Sequence, residues 1–306
     1  MTATRVAQPP PDPIGAEENM YYHGGPVEVA ATNYAVFWLP PVPATSNQRD
    51  LLPTYPSIID GFLRDLPSLS INQVTWQYYM DDSTGRHYIG SPTYGGSYVD
   101  NSDYPGQTIN EIDMINKFKD VALRHGWAWP GGLTHTYTLY LGPGELWCGG
   151  VDDCTGGNDT GNCGLHSATV PSGESDYLVY AVIPYASESC FTQWSPSHNM
   201  PADLAIDTTS HEFFEMQTDP TGLGWCGQQS LTFLELCGET EIADKCAWDI
   251  PIYYAAQQAN QTANGHYYAI QAEWANQWNI NLLPPQYDFE IPWHCIVPGE
   301  FHPLVR

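Results

Sequence analysis

Eight cysteines, Cys148, Cys154, Cys163, Cys190, Cys226, Cys237, Cys246 and Cys295, all stand in the second half of this 306-residue chain. An even set of this size permits four disulfides, with the pairing left open. No Cys-x-x-Cys pair occurs, and separations of six, nine and eleven between near neighbours suit loop staples better than a cysteine metal site. The first half must therefore fold on its hydrophobic pattern, while covalent bonds can hold long loops in the second. Disulfides also imply an oxidising compartment and a secreted, extracellular protein. Met1 to Gly15 is polar and proline-rich without an apolar run, so any export signal has been removed or lies outside this sequence.

Charge narrows the partners. The formal net charge is −26, from 35 Asp and Glu against 9 Lys and Arg. Neutralising phosphates needs clustered cations, so nucleic acid is excluded, and the same balance disfavours an anionic membrane surface. No stretch approaches the ~20 apolar residues of a membrane span. A carboxylate excess of this size repels itself at neutral pH and relaxes as the acids protonate, which suits an acidic medium; a plain solubility coat gives the same count. With 42% hydrophobic and 13% aromatic residues, a sizeable core is within reach.

Residues 1–22 read as a flexible leader and 23–306 as a single catalytic domain. Residues 34–39 predict a buried strand ended by Pro40-Pro41. Residues 55–66 predict a helix with Ile58, Ile59, Phe62, Leu63 and Leu66 on one face, stopped by Pro67. Residues 74–78 predict a second strand, followed by Gly-, Ser- and Tyr-rich hairpins or loops to about Pro105. Thr108 with Glu111 has the form of a capping box, opening a helix that turns Ile112, Ile115, Phe118 and Ala122 inward and stops at Gly126. Strands follow at 136–141 and 177–183, then a helix at about 202–217 and a last strand at 267–274. The Cys148–Cys163 loop holds Asp152, Asp153 and Asp159 among glycines and reads as a disulfide-braced turn, with a calcium (Ca2+) loop as the alternative. Asn158 and Asn260 head glycan-acceptor triplets. This order of elements predicts an α/β layer with an irregular, disulfide-stapled C-terminal part.

Ser210-His211-Glu212-Phe213-Phe214-Glu215 carries the chemistry. At ~100° per residue, His211 and Glu215 share a helix face and can ligate one ion, while Glu212 is offset enough to address a water. The common zinc-peptidase helix reads His-Glu-x-x-His, and here a carboxylate replaces the second imidazole. Asp203, Asp207, His211 and Glu215 recur every four positions opposite Ile206 and Phe213, a stripe that on most helices is solvated surface. A catalytic zinc (Zn2+) takes three protein ligands and keeps one position open. Glu241 and Asp244 are the candidates for the third, in a segment that a disulfide at Cys246 could fix; Asp219 and His166 are weaker choices. Glu212 is then the base that takes a proton from the attacking water and returns it to the leaving amine. A Glu ligand, with a pKa near ~4.3, stays available about two units lower than a His near ~6.5, so activity is expected at acidic pH.

His23-Gly24-Gly25-Pro26-Val27, the strand at 34–38, Cys163-Gly164-Leu165-His166, Ser210-His211-Glu212 with Glu215, and Glu241-Ile242-Ala243-Asp244-Lys245-Cys246 occur in a known order. The chain resembles, over residues 23–295, the EXORDIUM-like, or phosphate-induced protein 1, family: secreted plant proteins linked to cell-wall and growth responses, with bacterial relatives. The resemblance implies a zincin-like mixed sheet with an active-site helix, and a zinc metallopeptidase site carried onto His211, Glu212, Glu215, Glu241 and Asp244. Asp219-Pro220 stands where plant members often have Asn-Pro, which argues against Asp219 as a ligand, and the acidity suits a bacterial relative. The leading expectation is a secreted, monomeric, zinc-dependent endopeptidase acting on a protein or peptide substrate. The alternative is a noncatalytic cell-wall or glycan-binding protein using some of the 11 Trp and 20 Tyr, although strand patterns place Trp38, Trp76 and Tyr137 in the core. A metal-free acid protease with paired carboxylates is a third.

Overall fold

Five strands form one sheet in the computed structural model, which describes residues 19–41, 53–106, 108–149, 154–156, 162–185, 190, 193–228, 237–238, 240–276 and 294–298. They are β1 (Thr32–Trp38), β2 (Thr93–Asp100), β3 (His135–Leu141), β4 (Leu165–Thr169) and β5 (Leu178–Ile183), in the order β4-β5-β3-β1-β2. All are parallel except the edge strand β4, which runs antiparallel to β5 with His166 opposite Ala181. Helix α2 (Glu111–His125) covers one face, packing on Val36, Trp38, Tyr137 and Leu139. Helices α1 (Tyr55–Asp65) and α3 (Met200–Thr218) cover the other, on Ala35, Phe37, Tyr140 and Val179. Burial on both faces is why the central strands read as continuous apolar runs rather than alternating ones.

Several expectations are corrected. Residues 74–78 are not a strand. Residues 74–77 lie in a 3₁₀ helix, Ser70–Gln77, which the extended Tyr78 follows; there the Asn72 amide donates to the Leu66 and Leu69 carbonyls and the Thr75 hydroxyl to the Asn72 carbonyl. Such local side-chain bonds compete with a sheet ladder, and Trp76 ends 47% exposed rather than in the core. The second sheet strand is instead β2, whose Gly95 and Gly96 disguised it. A Cβ at Gly95 would lie 2.3 Å from the Tyr34 ring, so glycine is what lets that ring rest on the strand. The cap of α2 is shifted two residues: Asn110 accepts from the Asp113 amide and Asp113 from the Asn110 amide, because Thr108 pairs with Leu146 in a short ladder. Ile112 consequently points outward, and Met114 and Val121 join Phe118 and Ala122 in the core; Gly126 stops the helix as expected.

Residues just before 23 are part of the fold, since Met20 is buried and Tyr21–Tyr22 pairs with Trp225–Cys226. Residues 1–18 lie outside the described residues, as do Asp152, Asp153, Asn158 and Asp159. The expected strand at 267–274 is split: His266–Tyr268 forms a hairpin with Gln261–Ala263, and Glu273–Trp274 pairs with Cys295–Ile296. Asn260 is fully buried with its amide bonded to Ile270 at both ends, so it is no glycan acceptor in the folded protein. All eight cysteines are paired, Cys148–Cys154, Cys163–Cys190, Cys226–Cys237 and Cys246–Cys295. Among the described residues, no helix is long and apolar enough to cross a membrane.

Candidate metal centre

The stripe on α3 is not solvated. Asp203, Asp207, Glu212 and Glu215 are all buried, and even the side chain of His211 is only 19% exposed. The disulfide-held C-terminal segments cover it with specific bonds. The Gln271 amide N–H donates to Asp207 Oδ1 at 2.7 Å, and the Asp244 amide N–H to Glu215 Oε1 at 3.2 Å. Asp203, by contrast, is held by the hydroxyls of Ser195 and Ser197 and takes no part in the cluster.

His211 is oriented by Gln271. The Gln271 side-chain amide donates to the Ala243 carbonyl at 3.0 Å, which fixes its oxygen as the partner of His211 Nδ1 at 3.2 Å. Nδ1 must then carry the proton, and Nε2 is left to face Glu215 Oε1 at 3.2 Å and Asp244 Oδ1 at 3.5 Å. These three donors lie within 4.8 Å of one another. Asp244 is thus the third member. Glu241 is not: its Oε1 lies instead 3.7 Å from His166 Nε2 on β4.

His166 forms a second group. Its Nδ1 stands 3.2 Å from Glu212 Oε2 and 3.2 Å from Glu215 Oε2. Gly164 makes this approach possible, because a Cβ there would meet Thr208 Cγ2 at 2.5 Å and Glu212 Oε1 at 2.6 Å. The neighbouring Cys163–Cys190 disulfide ties down the start of β4. Asp219 accepts from the Gly224 amide at 2.7 Å and lies against Glu241, outside the His211 group.

The electrostatics are those of a site with too few cations. Burial alone would lower both imidazoles, yet Glu241, Glu212 and Glu215 around His166, and Glu215, Asp244 and Glu212 around His211, hold them well above their ordinary value. Burial pushes Glu215 up, but the two imidazoles outweigh it and leave its pKa at about 2. Burial dominates at Glu212 and Asp244, which are raised, and at Glu241, which Glu215 and Asp219 push further up. Glu28 and Glu273 are completely buried, with no hydrogen-bond partner on either oxygen among the described residues, and both are raised well above the carboxylate range by burial. His166 pulls against the shift at Glu28, and His211 against that at Glu273.

Two other places carry less. His23 stands near Cys226 and Cys237, but those sulfurs are spent in a disulfide. An open cavity of about 590 Å³ beside α1 is lined by Pro40, Pro56, Ser97 and Val99, and its one carboxylate among the described residues, Asp60, is already held by Tyr94, Ser97 and Arg64. Neither a protein-family model nor a curated protein matches the chain.

Sequence reasoning placed His211, Glu212, Glu215 and Asp244 near one another and gave His166 too little weight. It missed Gln271, Glu28 and Glu273. The one available signal for these was that all three are polar residues inside otherwise apolar surroundings, which burial then makes costly.

Proposed function

We propose that this protein is a secreted zinc-dependent endopeptidase in which His211 Nε2, Glu215 Oε1 and Asp244 Oδ1 hold the ion. The observation that carries this reading is the spacing of those donors. Tetrahedral zinc with bonds of 2.0–2.2 Å sets its ligand atoms roughly 3.4 Å apart; the two separations from His211 Nε2 are 3.2 and 3.5 Å, and the three groups offer atoms within 4.8 Å of one another. One nitrogen and two carboxylate oxygens fall within zinc's donor range, and the bond from Gln271 to the remote nitrogen is the support a ligating imidazole needs.

A zinc ion there supplies a Lewis acid that polarises the scissile carbonyl and acidifies water. The chain does the rest. Glu212, one residue along the helix, is the base: its Oε2 takes a proton from the attacking water and delivers it to the leaving amine. Burial raises its pKa toward the range where it can do both. His211 and Asp244, the most exposed members at 19% and 27%, mark the side from which a peptide enters, with Glu215 at the floor. A mixed sheet backing the helix that carries the motif is the arrangement the family resemblance implies, and four disulfides suit an extracellular setting.

The expected result is hydrolysis of an unstructured protein substrate at acidic pH that stops on chelation and returns with zinc. Glu212→Gln should lower kcat by about 10²–10⁴ while zinc at His211 is retained. Activity that persists in chelator, or is untouched by Glu212→Gln, removes the reading. The glycan-binding alternative has less support, since among the described residues no ring contact joins any two of the exposed Trp76, Tyr88, Tyr177, Trp248 and Tyr267.

A further inference from the structure

We propose that the cluster is built for two divalent cations that share Glu215, and that the second one regulates the site by tying up its base. The second position is His166 Nδ1, Glu212 Oε2 and Glu215 Oε2. This rests on the zinc reading of the first position and adds a regulatory ion to it.

Glu215 is divided between two groups. Its Oε1 lies 3.2 Å from His211 Nε2, and its Oε2 lies 3.2 Å from His166 Nδ1. A carboxylate whose two oxygens face two different imidazole nitrogens has the form of a bridge between cations. His166 Nδ1 is also 3.2 Å from Glu212 Oε2, and of its two carboxylate contacts only that one has hydrogen-bond alignment. One N–H cannot point at both oxygens. A cation set among the three atoms can address all of them, and the separations again match the edge of a zinc coordination shell, roughly 3.4 Å.

Glu28 supplies an independent sign of a missing positive charge. It is completely buried, neither oxygen has a hydrogen-bond partner among the described residues, and His166 acts on it electrostatically. Glu241 adds another acid on the far side of the same ring, 3.7 Å from Nε2. Glu212, Glu215 and Glu241 thus gather round one imidazole, which also acts electrostatically on Glu28. His166 and His211 together carry fewer positive charges than these acids could hold if ionised, and a divalent cation would make up the difference. The frame is also rigid where it must be: Gly164 seats β4 directly on α3, and Cys163–Cys190 anchors it.

The consequence follows from Glu212. With one ion bound at His211, Glu212 is free to move a proton; with the second position filled, its Oε2 is a ligand and the base is lost. Hydrolysis should therefore rise with the first equivalent of zinc and fall by tenfold or more as the second binds.

The test is a titration of metal-stripped protein with Zn2+, read by calorimetry and by metal content after desalting, with Mn2+ in parallel for electron paramagnetic resonance. Two zinc ions per chain and a spin-coupled manganese signal are expected in the unmodified protein. His166→Ala, and His166→Asn should the first variant fold poorly, should bind one zinc, lose the spin coupling and lose inhibition by excess zinc. A single zinc in the unmodified protein, or two that persist uncoupled in the His166 variants, overturns the second position and leaves the peptidase reading standing. No bound zinc in either protein overturns both.

Discussion

Gln271 decides which nitrogen of His211 faces the acids, because its amide is locked the other way round by the Ala243 carbonyl. Replacing it by leucine keeps the packing and removes the lock. Gln271→Leu should weaken zinc binding by about 10–100-fold with the fold intact, measured by competition against a chromophoric chelator. An unchanged affinity would show that the imidazole needs no such support. At this scale the sequence was legible where partners are close along the chain. His211 and Glu215 are one helical turn apart, and Asp244 stands two residues before a cysteine that fixes its loop. His166 was undervalued because its partner Glu212 lies 46 residues away, and Gln271 because it lies 60 residues from His211 in a segment with no periodic cue.

The contact between β4 and α3 brings the two imidazoles to one helix, and Gly164 is the residue that permits it. Gly164→Ala puts a methyl within 2.5 Å of Thr208 Cγ2 and 2.6 Å of Glu212 Oε1, so those side chains, the Glu212 carboxylate included, must shift. Overpacking of this kind costs about 1–3 kcal/mol. The expected outcome is a lower denaturant midpoint together with a loss of hydrolysis larger than the loss of stability explains; a midpoint equal to that of the unmodified protein contradicts it. The helices were readable from period and punctuation, as Gly126 illustrates. The sheet was less so. Strand β2 carries two glycines that mimic a loop, β4 is a short half-buried edge, and residues 74–78 have the composition of a strand but the side-chain bonds of a 3₁₀ turn. Helix α3 was read as two-faced, whereas tertiary packing buries it on every side.

Across the whole molecule, the buried acids set how stability answers pH. Burial raises Asp207 from 3.8 to about 7 and lifts Glu28 and Glu273 well above their ordinary value. Without a cation the folded protein keeps these protons where the unfolded chain would release them. That contribution is complete below about pH 4 and is lost as pH rises toward 7. The raised imidazoles act in the same direction, their share being lost above their ordinary pKa. Asp100 works oppositely. Ser102 and Lys117 outweigh its burial and hold it at about 2, so its share is lost only as pH falls from 3.8 toward 2. The chelated protein should therefore melt higher at pH 4.5 than at pH 7.5, by on the order of 5 °C, with zinc narrowing the gap. Equal melting, or a higher midpoint at pH 7.5 in chelator, contradicts this assignment. A net charge of −26 adds self-repulsion with the same sign.

The most direct measurement is anomalous diffraction at the zinc edge from crystals grown with the metal. A peak bonded to His211 Nε2, Glu215 Oε1 and Asp244 Oδ1 is the predicted result. A map with no anomalous density there, with His211 Nε2 still directly against Glu215 Oε1, would contradict the metal centre and the hydrolase built on it.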